Sequence, residues 1–338
     1  MRRLCTALNR RCFRPEERGY ALMDQPIILH CHIPKTAGTT VGAHLSGIFG
    51  KLHLNHYHLD PDFVLTPAIL ENLFAINPCL RSLSSHHLRA FPTRIQGRRI
   101  HYITFLRDPT NTVISLLSYA QSNFENLPPK VKEFWPAETP RLPLRDLARW
   151  YIEKWGTTEA STQTRFFCHQ EVLEKYAGAN AAGGVHVEIA LNVLRQFLFV
   201  GIVEEMPASI DVLDARLRGL GIRLGREAFF GKLRHHNRNQ KSKRNLRWLN
   251  SDDEVGRRIL SCSSSDRFIY SGFRNELMAS HRKLGSHGGL IRRFFPYGYS
   301  QTTGRDLPED EPLICEWAAK TCFANGFLEG RVRSFGNL

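Results

Sequence analysis

Residues 27–49 read IILHCHIPKTAGTTVGAHLSGIF. Ile27, Ile28, Leu29 and Ile33 form a short apolar run, which predicts a strand buried on both faces. After the turn PKTAGTT, the residues Val41, Leu45, Ile48 and Phe49 recur at helical spacing. The stretch therefore reads as strand, loop, helix. A second such unit begins at Ile100, where HYITFL is a strand, RDP a turn, and Val113, Leu116, Leu117 and Ala120 an apolar helical stripe. Pro109 suits the first turn of that helix, where a missing N–H costs little. A third unit has a strand over 197–203, then Ile210, Leu213, Leu217 and Leu220 on one helical face, ending at Gly221. Repeated strand–helix units predict an α/β fold, a P-loop-like three-layer domain whose central parallel sheet is flanked by helices.

The 338 residues are 42% hydrophobic and 23% charged, the composition of a globular protein, with a net charge of +14. That excess sets up a positive field for phosphate, sulfate, acidic glycan or nucleic acid. No stretch reaches the roughly 18 to 20 apolar residues of a membrane span. Residues 1–25 read as a basic tail rather than a secretory signal, and the chain as cytoplasmic. The eight cysteines show neither a CxxC pair nor zinc spacing, so they read as reduced thiols rather than a disulfide framework. The main domain is placed at 26–275, with 276–338 an extension of unassigned role. Residues 122–146 carry five prolines and three aromatics and read as an irregular surface loop, a candidate acceptor lid. Residues 232–247 hold seven Lys or Arg and no acid.

The chemistry concentrates in the turn Pro34, Lys35, Thr36, Ala37, Gly38, Thr39, Thr40. A strand that ends in such a turn and opens a helix aims backbone N–H groups at the helix's positive pole, a seat for phosphate or sulfate. Gly38 allows close backbone approach, Lys35 supplies a point charge, and Thr39 and Thr40 supply hydroxyls. The bland alternative is a capped helix start. A P-loop kinase would need glycines ahead of the lysine, but residues 30–34 are His, Cys, His, Ile and Pro.

HIPKTAGTT resembles the 5′-phosphosulfate loop of the sulfotransferase superfamily, in particular the branch of heparan sulfate 2-O- and 6-O-sulfotransferases and their bacterial relatives. HYITFLRDPTNTVISLLSYA resembles that branch's 3′-phosphate motif, with Arg107 and Ser115 as the phosphate-binding pair. Thr112 stands where the branch carries an arginine, on a helix face shared with Ser115 and Tyr119. STQTRFF at 161–167, FLFVGIVEEMPASIDVL and DRFIYSGF near 270 are weaker echoes, and 232–247 falls where relatives cover the 3′-phosphate. The resemblance implies a sulfotransferase that uses 3′-phosphoadenosine 5′-phosphosulfate (PAPS) as donor, without a metal, and a hydroxyl-bearing acceptor such as an acidic glycan. It also implies a catalytic histidine upstream of the 3′-phosphate strand, where SSHHLRAF lies. His87 is the first choice and His86 the second. His32 is expected to prop the loop, and His235 and His236 to belong to the basic segment.

Two other readings stand beside this one. The fold can persist without turnover as a binding protein, or serve a nucleotide-dependent kinase. A nucleic-acid-binding role would use the charge, but no helix-turn-helix, zinc or RNA-binding signature accompanies it.

Overall fold

The computed structural model describes residues 25–58, 60, 63–88, 94–155, 162–168, 184–222 and 253–287. Every residue of β1 (Ile27–Cys31) is buried, so both faces of the strand are covered, as its apolar run requires. It leads through the 32–37 loop into α1 (Gly38–Phe49), a 3₁₀ turn and β2 (His53–His56). The chain continues through α2 (Pro67–Ile76), β3 (Ser82–Ser85), β4 (Arg94–Ile95), β5 (Arg98–Leu106) and α3 (Pro109–Asn123). Next come α4 (Pro129–Lys132), α5 (Leu144–Trp155), α6 (Thr162–Phe166), α7 (Gly184–Leu194) and β6 (Phe199–Ile202). The last described elements are α8 (Met206–Gly219), α9 (Glu254–Cys262) and α10 (Ser264–His287).

The sheet runs β2-β3-β1-β5-β6 with all neighbours parallel, and β4 pairs antiparallel with the start of β5. From β1 the chain first moves outward to β2, returns to β3, and then crosses β1 to β5. β1 is therefore the strand at which the winding reverses, and in open α/β sheets the crevice beyond the carboxyl ends at that point is where ligands bind.

Two of these strands, HLNH and SLSS, carry no apolar run. SLSS is nonetheless buried throughout, because its hydroxyls are paired across the sheet. Ser84 is hydrogen-bonded to His30 at 3.0 Å, Ser82 to His53 at 2.9 Å and Ser85 to His56 at 3.1 Å. Each of those pairs sits directly opposite in the strand register.

Helix starts follow local chemistry. Asp108 accepts from the Asn111 N–H and Pro109 occupies the first turn of α3, while Thr66 caps α2 with Pro67 behind it. Residues 122–146 are more ordered than a proline-rich loop suggests. α3 continues to Asn123, Pro129 opens α4, and Trp135 stacks on Tyr151 and lies tilted against Trp150 of α5. This forms a second apolar cluster, in which α3, α5 and α9 meet through Leu117, Leu147, Ile152 and Ile259. The main core runs past residue 275: α10 is continuous, Leu277 is buried and Leu284 packs against the core. Among the described residues, Cys31, Cys79, Cys168 and Cys262 form no disulfide. No described helix is long and apolar enough to cross a membrane.

Candidate active site

The carboxyl ends of the five parallel strands bring the candidate residues to one edge. Tyr57 follows β2, His86 and His87 follow β3, the Lys35 loop follows β1, Arg107 follows β5 and Glu204 follows β6. Lys35 and Ala37 both hold positive φ, 67° and 63°, conformations that cost of order 1–3 kcal/mol each for residues with a Cβ. Left-handed residues of this kind curl consecutive N–H groups into anion-binding concavities. α1 has neither a side-chain cap nor an acid in its first turn, so its positive pole is not internally neutralised. A Cβ on Gly38 would lie 1.5 Å from His32 Nε2, so the imidazole rests directly on the helix start.

The threonines divide. Thr36 is buried, and both its hydroxyl and its N–H go to the Ile33 carbonyl, at 2.8 and 3.3 Å. Its donors close the turn and are not available to a phosphate, so Thr36 shapes the loop, and Thr39 and Thr40 are the loop's remaining hydroxyls. Thr39 is exposed and Thr40 half-buried on the first turn of α1, and Pro34 in the loop is partly buried.

Arg107 joins the two motifs. Its Nη1 donates to the Lys35 carbonyl at 3.0 Å, while its buried Nε has no hydrogen-bond partner and lies 3.9 Å from Glu204 Oε1. Burial draws the guanidinium pKa below its ordinary value, against the opposing pull of Glu204 and Asp108. The Arg107 backbone is clamped by Gln163, whose Oε1 accepts from the Arg107 N–H at 2.9 Å and whose Nε2 donates to its carbonyl at 2.8 Å. Gln163 and Thr164 are held in turn by buried Asp266, which accepts both backbone N–H groups and the Thr164 hydroxyl. Burial pushes the Asp266 carboxyl up to about 6, although these donors oppose the shift. Sequence reasoning flagged the two segments but not Gln163, Asp266 or Glu204, whose pairings span many residues. Glu204 also accepts from the Asp108 N–H and the Tyr270 hydroxyl, so a carboxylate shares the Arg107 corner.

Ser115 is half-buried on α3, one turn before Tyr119. The Lys35 ammonium lies 4.2 Å from the Tyr119 ring centroid. Thr112 instead is buried and turns its hydroxyl back to the Asp108 carbonyl at 3.0 Å. Burial, and then the nearby Arg107 charge, lower the Lys35 pKa.

The two adjacent histidines part company. His87 is 5% exposed, donates from Nδ1 to the Phe63 carbonyl at 2.8 Å, and is surrounded edge-on by Phe63, His56 and His58. His86 is half-buried and stacks on His32, with centroids 3.7 Å apart. Its Nδ1 donates to the His32 carbonyl at 2.6 Å, which makes Nε2 the lone-pair nitrogen of the neutral ring. His32 in turn stacks on buried His30 at 5.5 Å. Burial, reinforced by its neighbours, holds His32 well below the usual imidazole range and His30 at about 3, so both are neutral props. The basic segment 232–247, with His235 and His236, lies outside the described residues. Among the described residues, no group of three or more His, Cys, Asp or Glu side chains is placed to hold a metal ion. Searches against protein-family models and curated proteins give no match.

Proposed function

We propose that the chain is a sulfotransferase that moves a sulfuryl group from PAPS to a hydroxyl acceptor. The observation that carries this reading is the joining of the two motifs at the switch point of the sheet. Arg107 reaches from the end of β5 to the Lys35 carbonyl, beside an uncapped helix start. Two further features suit a nucleotide with a 5′-phosphosulfate and a 3′-phosphate. Lys35 and Ala37 at positive φ curl the loop's N–H groups into a concavity, and the Arg107 Nε is buried with an unused hydrogen.

In this reading the N–H groups at the start of α1, with Thr39 and Thr40, hold the 5′ end of the donor. Arg107 and Ser115 hold the 3′-phosphate. Lys35 stabilises negative charge on the bridging oxygen as its bond to sulfur breaks, and the acceptor oxygen forms the new bond in line. His86, rather than His87, is assigned as base, because His87 is buried among Phe63, His56 and His58, whereas His86 is half-buried with its ring against the loop through His32. The net charge of +14 suits an acidic glycan or other carbohydrate as acceptor.

Labelled donor offered to glycan, lipid, small-metabolite and tyrosyl-peptide acceptors tests the reading. Transfer to at least one class, abolished by Lys35→Ala, is expected. Donor binding without transfer to any class would favour a non-catalytic binding protein instead.

A further inference from the structure

The placement of Lys35 is fixed at both ends by the unit formed from β5 and α3. Arg107 holds its carbonyl, and Tyr119, three turns along α3, lies under its ammonium at 4.2 Å. Tyr119 is 45% exposed, so the ring is not a core residue that the lysine happens to cover. The other groups near this ammonium oppose its charge: the Arg107 guanidinium repels it, and burial removes water from it. His32 feels Lys35 as a neighbouring charge. A ring face attracts a cation through its quadrupole without carrying net charge. A carboxylate in that position would hold the lysine in a full ion pair and repel an incoming phosphate; a ring does neither.

We propose that Tyr119 is a positioning residue whose ring face holds the Lys35 ammonium until the 5′ end of the donor takes it over. The proposal rests on the reading of Lys35 as the lysine of sulfuryl transfer.

The test uses the full chain with lysine labelled with ¹³C at Cε, the Lys35 signal being identified by its loss in Lys35→Arg. The Lys35 methylene protons are expected upfield of the other lysines because of the ring current. That displacement should persist in Tyr119→Phe, vanish in Tyr119→Leu, and vanish in the wild type on saturation with adenosine 3′,5′-bisphosphate. In turnover, Tyr119→Phe should keep the wild-type pH profile, while Tyr119→Leu should move its alkaline limb to lower pH. An undisplaced Lys35 signal in the wild type, or one unchanged in Tyr119→Leu, overturns the pairing and leaves the sulfotransferase reading standing. A nucleotide that binds by calorimetry but leaves the signal upfield overturns the hand-over alone. A displaced signal with no nucleotide binding refutes the sulfotransferase reading, and the proposed role of the pair falls with it.

Discussion

Replacing Gly38 with Ala tests how tightly the loop is built. The added Cβ would fall 1.5 to 2.0 Å from three atoms of the His32 ring, so the ring must leave its position. It has little room to do so, since it stacks against His86 at 3.7 Å and His30 at 5.5 Å. Losing a ring pair costs about 0.5–1.5 kcal/mol, and forced repacking about 1–3 kcal/mol. Ala in place of Gly within a helix returns up to about 1 kcal/mol. The net is a loss of about 0.5–4.5 kcal/mol, or a melting temperature lower by roughly 1–18 °C for a domain of this size. In a His32→Ala background the obstacle is gone, and the same substitution should raise stability by up to about 1 kcal/mol. Thermal and urea denaturation of the four proteins gives the cycle. A Gly38→Ala effect of the same sign and size in both backgrounds would refute the close packing of His32 on the helix start.

Other outcomes follow from the same geometry. Asp266→Ala strands two buried N–H groups and a hydroxyl, and should cost about 2–4 kcal/mol in denaturation while weakening nucleotide binding through the Gln163 clamp. His30 has a folded pKa of about 3 against an ordinary 6.5, so the unfolded chain takes up its proton first. Its contribution is whole above pH 6.5 and declines as pH falls toward 3, reaching a loss of about 2 kcal/mol at pH 5, a decline that His30→Asn should flatten in acid denaturation. His86→Ala should lower turnover by roughly a hundredfold or more and flatten the acid limb of the rate profile, whereas His87→Ala should act mainly on stability. Normal turnover in His86→Ala would remove it as the base.

What the sequence disclosed was whatever a local pattern could carry. β1, β5 and β6 announce themselves by apolar runs, and PKTAGTT and RDP lie where a strand must turn into a helix. β2 and β3 were hidden because their burial depends on partners elsewhere: SLSS is tolerable inside only with His30, His53 and His56 across from it. Neighbouring side chains such as His86 and His87 point to different sides, and nothing in SSHHLRAF says which side holds the loop. Prolines in 122–146 suggested irregularity, yet Pro129 serves as a helix start. The Gln163 clamp on Arg107 depends on Asp266, 103 residues away from Gln163, a distance no motif spans.

Calorimetry comparing adenosine 3′,5′-bisphosphate with 5′-AMP measures the central claim most directly. The two ligands differ only in the 3′-phosphate assigned to Arg107 and Ser115. Charge-assisted hydrogen bonds of about 1.5–3 kcal/mol correspond to an affinity ratio of roughly 10 to 100. That preference for the bisphosphate is expected in the wild type and should collapse in Arg107→Ala. Equal affinity of the wild-type protein for the two nucleotides would contradict a 3′-phosphate site, and with it the assignment of this chain to PAPS-dependent chemistry.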